Sequence, residues 1–117
     1  MAAVTVSVSD GPAIIIGYEY RLQIESETDL FPVGVQLTGQ LRSKVSAAPV
    51  LATLSTSNDR IRRISARKLE VVIPPEATAT LMPGSAVLDL VRTDLTPPRH
   101  LAFLLEIPVV RPVTRGL

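Results

Sequence analysis

His100 is the one histidine in the chain, and no cysteine accompanies it. General-base chemistry would have to be built on that imidazole, with a Ser or Thr hydroxyl beside it to be activated and a carboxylate behind it as orienter. Pro97-Pro98-Arg99 precede it, so it reads as a solvent-exposed loop histidine with no catalytic role. A single imidazole without thiolates also falls short of a zinc ligand set. Glu25, Glu27 and Asp29 are spaced by two, which puts three carboxylates on one side of a strand end. A calcium loop needs more oxygen ligands and a glycine turn, so the cluster reads as a solvated strand end. The six glycines are scattered and form no phosphate-cradling loop. No catalytic, cofactor-binding or metal-ligating residues are expected.

The one concentrated charge is the run N-D-R-I-R-R-I-S-A-R-K-L-E, which holds Arg60, Arg62, Arg63, Arg67 and Lys68. Arginines on a strand face can track phosphates. Against nucleic acid stand a net charge of only +1, the flanking Asp59 and Glu70, and the lack of interleaved aromatics. The same residues fit a contact with a neighbour's carboxylates, or a solvated face that guards a sheet edge.

These groups must be positioned by strands. Val4, Val6 and Val8 alternate with polar residues, and Asp10-Gly11-Pro12 is a turn. Tyr18, Tyr20, Leu22 and Ile24 mark a long second strand, in which Gly17 suggests a bend where the chain passes between sheets. Val35, Leu37, Gly39 and Leu41 define a third strand, and residues 50–56 a short fourth. Residues 60–73 read as two short strands broken near Ser65-Ala66, or as one bent strand. The central unit is strand, turn and strand: Leu69, Val71 and Ile73 alternate, Pro74-Pro75 end the ladder, and Ala77 and Leu81 lie four apart on one turn. Pro83-Gly84 stop that turn, and Ala86, Leu88 and Leu90 resume the period of two. Leu101, Phe103, Leu105, Ile107 and Val109 form the last strand, which Pro108 and Pro112 mark as an edge strand or one leaving the sheet.

About seven strands at regular spacing predict an all-β fold, an immunoglobulin-like antiparallel β-sandwich with one short helical turn near residues 75–82. Residues 1–117 make one domain, since 117 residues, 46% of them hydrophobic, can bury a core unaided. The N-terminus carries no basic region with a long apolar run, and no apolar run could span a bilayer. A soluble protein kept inside a cell, or packed into a particle there, is expected. Four aromatics in the chain, Tyr18, Tyr20, Phe31 and Phe103, are too few for a stacking platform or an aromatic-lined pocket.

The order of segments resembles short β-sandwich proteins and domains encoded among tailed-bacteriophage structural genes, including the N-terminal domain of the baseplate upper-protein family. The resemblance is carried by residues 18–24 as the opening strand and by Val35-Gln36-Leu37-Thr38-Gly39 at the place of a D-L-T-G turn. Residues 69–73 followed by 74–81, then Val87-Leu88-Asp89-Leu90, extend it. Val109-Val110-Arg111-Pro112-Val113-Thr114-Arg115 is similar to a V-x-P-x-V-T-R tail. Gln36 stands here for the family's Asp, and the hairpin before Leu69 is basic where the family's is acidic and glycine-rich.

The resemblance implies a non-enzymatic virion structural protein assembled in the host cytoplasm, a tail or baseplate adaptor or accessory subunit. Its partners would be other virion structural proteins or copies of itself, with no small-molecule substrate, cofactor, nucleic acid or membrane. A capsid decoration (cement) protein is the alternative, and a small binding module for carbohydrate or nucleic acid the second. Contacts would be made through the basic cluster and the chain ends. Residues 107–117 form a candidate extended C-terminal arm, with Ile107, Val109, Arg111, Val113 and Arg115 as its contact residues.

Overall fold

The computed structural model describes residues 4–7 and 10–114. Among them are ten strands and one helical turn: β1 (Val4–Ser7), β2 (Ile14–Ile15), β3 (Tyr20–Ser26), β4 (Leu37–Arg42), β5 (Ala52–Ser55), β6 (Ile61–Ser65), β7 (Lys68–Ile73), α1 (Pro75–Thr78), β8 (Gly84–Arg92), β9 (Arg99–His100) and β10 (Leu105–Val110). One sheet has the order β1-β3-β7-β6, the other β2-β10-β8-β4-β5, with β9 paired to the end of β8. This is the immunoglobulin-like sandwich, its first strand divided between the two sheets as β1 and β2. All pairings are antiparallel except β2 with β10.

The period of two builds the core. Tyr20, Leu22 and Ile24 of β3 and Leu69, Val71 and Ile73 of β7 point inward from one sheet, and all are buried. Leu37 and Leu41, Leu54, and Ala86, Leu88 and Leu90 meet them from the other sheet. Residues 60–73 form two strands with a register shift between Arg63 and Ser65. Tyr20 is buried to its hydroxyl, which donates to the Gly11 carbonyl at 2.7 Å. Burial, with the Asp10 carboxylate nearby, pushes that hydroxyl above its ordinary pKa.

Gly17 does mark a passage between sheets, but it sits in a turn and not inside one bent strand. The Tyr18 N–H donates to the Ile15 carbonyl at 3.0 Å, and Gly17 has φ +89°, the left-handed value needed at the third position of a type II turn. This turn is tied to α1 by Thr78, a fully buried residue. Its Oγ1 accepts the Gly17 N–H at 3.1 Å and donates to the Tyr18 carbonyl at 2.8 Å. Thr78→Val keeps the shape and orphans both backbone groups, at a cost of about 2 kcal/mol. A thermal melt should show a midpoint lower by roughly 8 °C. An unchanged midpoint would mean that the turn does not depend on α1.

The last strand is not continuous. β9 faces Val91 and Arg92, β10 begins opposite Leu88, and residues 101–104 bulge between them. Ala102 has φ +62°, so the chain leaves the ladder there and alternation is broken. β10 is an edge only in part, since β2 covers it at Val109 and Val110 while 105–108 have β8 alone. Ile107 and Val109, expected on an outward arm, are both 2% exposed and belong to the core. The physical reason is register: they lie opposite Ala86 and Gly84 of β8 on its inward side.

Candidate interaction surface

Both nitrogens of His100 are engaged. Nε2 stands 2.8 Å from the Asp89 carboxylate, and Nδ1 accepts the Ala102 N–H at 2.8 Å. An acceptor at Nδ1 fixes the tautomer with its proton on Nε2. The ring therefore buttresses the bulge at Ala102 and has no lone pair left for a hydroxyl. Glu25, Glu27 and Asp29 do not converge on a cation either. Glu25 lies 3.6 Å from Lys68 Nζ, and Asp29 lies 2.7 Å from Arg67 Nε. Among the described residues, no three His, Cys, Asp or Glu side chains form a metal-binding group.

The structure divides the basic run in two. Arg67 and Lys68 are neutralised by the carboxylates just named, whereas Arg60, Arg62 and Arg63 have no carboxylate at ion-pair distance among the described residues. Each of these three arginines is instead held by one backbone carbonyl. Arg60 donates from a terminal nitrogen to Thr53 at 3.2 Å, and Arg62 Nε donates to Asp59 at 3.2 Å. Arg63 Nε donates to Phe31 at 2.8 Å. That last bond, together with the Phe31 N–H on the Ala66 carbonyl at 2.9 Å, pins the loop 27–36 to the β6–β7 hairpin. Because Arg62 and Arg63 are fixed through Nε, both terminal nitrogens of each guanidinium remain free of the described residues.

β6 is also the outer strand of its sheet. The Val72 N–H bonds the Arg60 carbonyl at 2.7 Å, and antiparallel pairs alternate between bonded and unbonded. Arg62 is then the next residue bonded to β7, opposite Glu70, while Ile61 and Arg63 direct their backbone N–H and C=O groups away from the sheet. Arg62 stands on the outer face of the sheet, and Arg63 leaves on the inner side beside Leu69. The two side chains therefore leave β6 from opposite faces, while Ile61 between Arg60 and Arg62 is only 2% exposed. The neighbouring edge, β5, is partly covered. Asn58 accepts the Ser55 N–H at 3.0 Å and donates to the Thr53 carbonyl at 3.0 Å, so its carboxamide stands in for a partner strand.

Arg111 and Val113 are exposed beyond β10, and Val113 is 95% exposed. The segment does not simply leave the domain: the Tyr18 hydroxyl donates to the Thr114 carbonyl at 3.1 Å. Arg115 lies outside the described residues. The structure thus groups Arg60, Arg62 and Arg63 on one edge and places Arg111 and Val113 after the opposite sheet's β10.

One exposed surface escaped sequence reasoning. Val45 and Leu104, 69% and 58% exposed, flank the buried Val87 in a pocket of about 120 Å3. Gln40, Arg42, Leu88 and Asp89 complete its lining. Leu104 was legible as an apolar residue on the outward register of L-A-F-L-L-E-I, but Val45 sits in a loop with no period. A scan of the chain against protein-family models finds no match, and a search of curated proteins finds none.

Proposed function

We propose that the chain is a non-enzymatic structural subunit that works by protein–protein assembly, as a tail or baseplate adaptor or accessory component of a bacteriophage particle. The phage setting comes from the resemblance of its segments to virion sandwich domains. The assembly role is carried by one observation: β6 is the outer strand of its sheet, and Arg60, Arg62 and Arg63, on and beside it, have no carboxylate partners among the described residues. The carboxylates of a neighbouring protein are groups that complete such guanidinium forks. Sugar or base stacking has little support, because Tyr20 and Phe31 are buried, Phe103 is half-buried, and Tyr18 is the single exposed aromatic among the described residues. No helix among the described residues is long and apolar enough to cross a membrane.

Mass spectrometry of purified phage particles tests the reading. A copy number that is a small multiple of three or six supports a tail or baseplate position, as rotational symmetry there requires. Copies on the order of hundreds would assign the chain to the capsid as a decoration protein. Absence from the particle would overturn the proposal. Within the particle, Arg60→Glu with Arg62→Glu is expected to abolish incorporation while leaving the melting midpoint of the free chain within a few degrees, since both side chains make only exposed bonds to nearby carbonyls.

A further inference from the structure

Independently of the assembly reading, we infer that His100 is a pH-sensitive latch on the outer face of the larger sheet: protonation of its ring at Nδ1 releases residues 102–104 and shifts Leu104 from its place beside Val87. A backbone amide fixes the protonation state in which the latch is closed. The Ala102 N–H has only a proton to offer, so the Nδ1 that accepts it at 2.8 Å must carry a lone pair. Nε2 then carries the ring proton and donates it to Asp89 at 2.8 Å. An imidazolium keeps the bond to Asp89 and loses the one to Ala102, because both ring nitrogens become donors. Two N–H groups would then face each other, and the Ala102 peptide must turn away. Imidazole is the side chain that changes charge between about pH 5 and pH 8, and His100 is the chain's one histidine.

The segment that the latch holds is poised to move. Ala102 has φ +62°, a left-handed conformation that an alanine keeps only where its surroundings impose it. Before it, Leu101 is buried and its N–H bonds the Leu90 carbonyl at 3.0 Å. After it, β10 resumes at Leu105 opposite Leu88. Release is therefore confined to residues 102–104, and Leu104, exposed at the rim of the Val87 pocket, moves with them. The charges around the ring do not close the latch in its place. Asp89 of β8 is the one carboxylate at ion-pair distance among the described residues, and its bond to Nε2 persists in both charge states. Arg99, next on β9, stands opposite Arg92, whose guanidinium is held by Asp94. Arg42 of β4 and Glu106 of β10 lie on either side of Val87, and Arg42 spends its donors on the Ala47 and Ala48 carbonyls and on Gln40. The latched state thus binds one proton fewer than the released one, so acid shifts the population toward release.

Amide exchange followed by NMR on the full chain, with the chemical exchange rate at each pH divided out, tests the latch. Protection of the Ala102 amide is expected to fall at least about fivefold from about pH 8 to about pH 5. The Leu104 methyl resonances should shift over the same interval, while the amides of Leu22 and Val71, paired between β3 and β7, keep their protection. His100→Asn is expected to hold Ala102 protected at both pH values, because an Asn Oδ1 accepts the N–H two residues on and does not titrate. His100→Leu offers no acceptor and should leave that amide open at both. Constant Ala102 protection in the unmodified chain would overturn the inference, as would Leu104 methyls that stay fixed while Ala102 opens. A pH dependence that survives in His100→Asn would overturn it too, since another group would then be titrating. So would loss of protection at Leu22 and Val71 in step with Ala102, which would make the change the whole domain's. The measurement on the unmodified chain stands even if a variant folds poorly.

Discussion

Gly39→Ala is expected to lower the melting midpoint by roughly 10 °C, and Gly39→Val to leave the domain largely unfolded at 37 °C. Gly39 sits in the middle of β4, between Leu54 of β5 and Leu90 of β8. A Cβ there would stand 2.5 Å from a methyl of Leu90, 2.6 Å from the Asp89 carbonyl oxygen and 3.3 Å from a methyl of Leu88. The leucine methyls can rotate, but the carbonyl belongs to the ladder of β8 and moves only with the strand. Two effects compete. Replacing a strand glycine with alanine gains about 0.5–1 kcal/mol from the unfolded chain's lost freedom, while overpacking a core costs about 1–3 kcal/mol and more when backbone must shift. Overpacking wins, and valine's two further methyls enlarge it.

Circular dichroism melts of the two variants are the measurement. A midpoint for Gly39→Ala within a few degrees of the unmodified chain would show that β8 yields at no cost and that close packing does not govern the central sheet. The effect is steep because β4 and β8 are the inner strands of the larger sheet. β8 also carries Asp89, whose carboxylate holds His100 and, through it, the bulge at Ala102. A displacement at Gly39 therefore reaches the face that presents Leu104.

What could be read from the sequence was what alternation encodes. Leu37, Gly39 and Leu41, Leu69 to Ile73, and Ala86 to Leu90 have a period intrinsic to a pleated strand, so their inward faces could be assigned without knowing any partner. What was not legible depends on groups far apart in the chain. Arg63 meets Phe31 and Arg92 meets Leu30 through backbone carbonyls, and a carbonyl has no side-chain signature. Division of the basic run was hidden for the same reason: only folding brings Asp29 to Arg67 and sets Arg62 and Arg63 away from the described acids. The break between β9 and β10 turns on one left-handed alanine, a conformation that alanine itself does not announce. Ile107 and Val109 fit a strand by their period and an outward arm by their position after the loop, and the period is the better guide, since both are buried.

Arg92→Ala is expected to destabilise the domain by about 2 kcal/mol, the range for losing hydrogen bonds made by a charged group and leaving the buried Leu30 carbonyl without its donor. Arg92 continues the inward register of β8 and is buried. Its Nε and one terminal nitrogen meet the two Asp94 oxygens at 3.2 and 2.7 Å, and the other terminal nitrogen donates to the Leu30 carbonyl at 3.2 Å. The guanidinium therefore joins the loop 27–36 to the turn after β8, where the Thr93 N–H also bonds the Gln36 carbonyl at 2.9 Å. The hydrogen bond from Arg92, helped by the backbone N–H groups of Asp94 and Gln36, holds the Asp94 carboxyl at about 2 against an ordinary 3.8. A folded-state pKa below the unfolded one gives stability that is complete above pH ~4 and falls away as pH drops from there toward ~2. Urea midpoints measured across that window should drop more steeply for the unmodified chain than for Asp94→Asn, and the two curves should approach each other near pH 2. A gap that stays constant with pH would mean that Asp94 acts through shape alone. Amide exchange discriminates further: with Arg92 removed, the loop 27–36 should open faster while β3 and β7 keep their protection, because Arg92 ties loops together at one end of a core that stays packed without it.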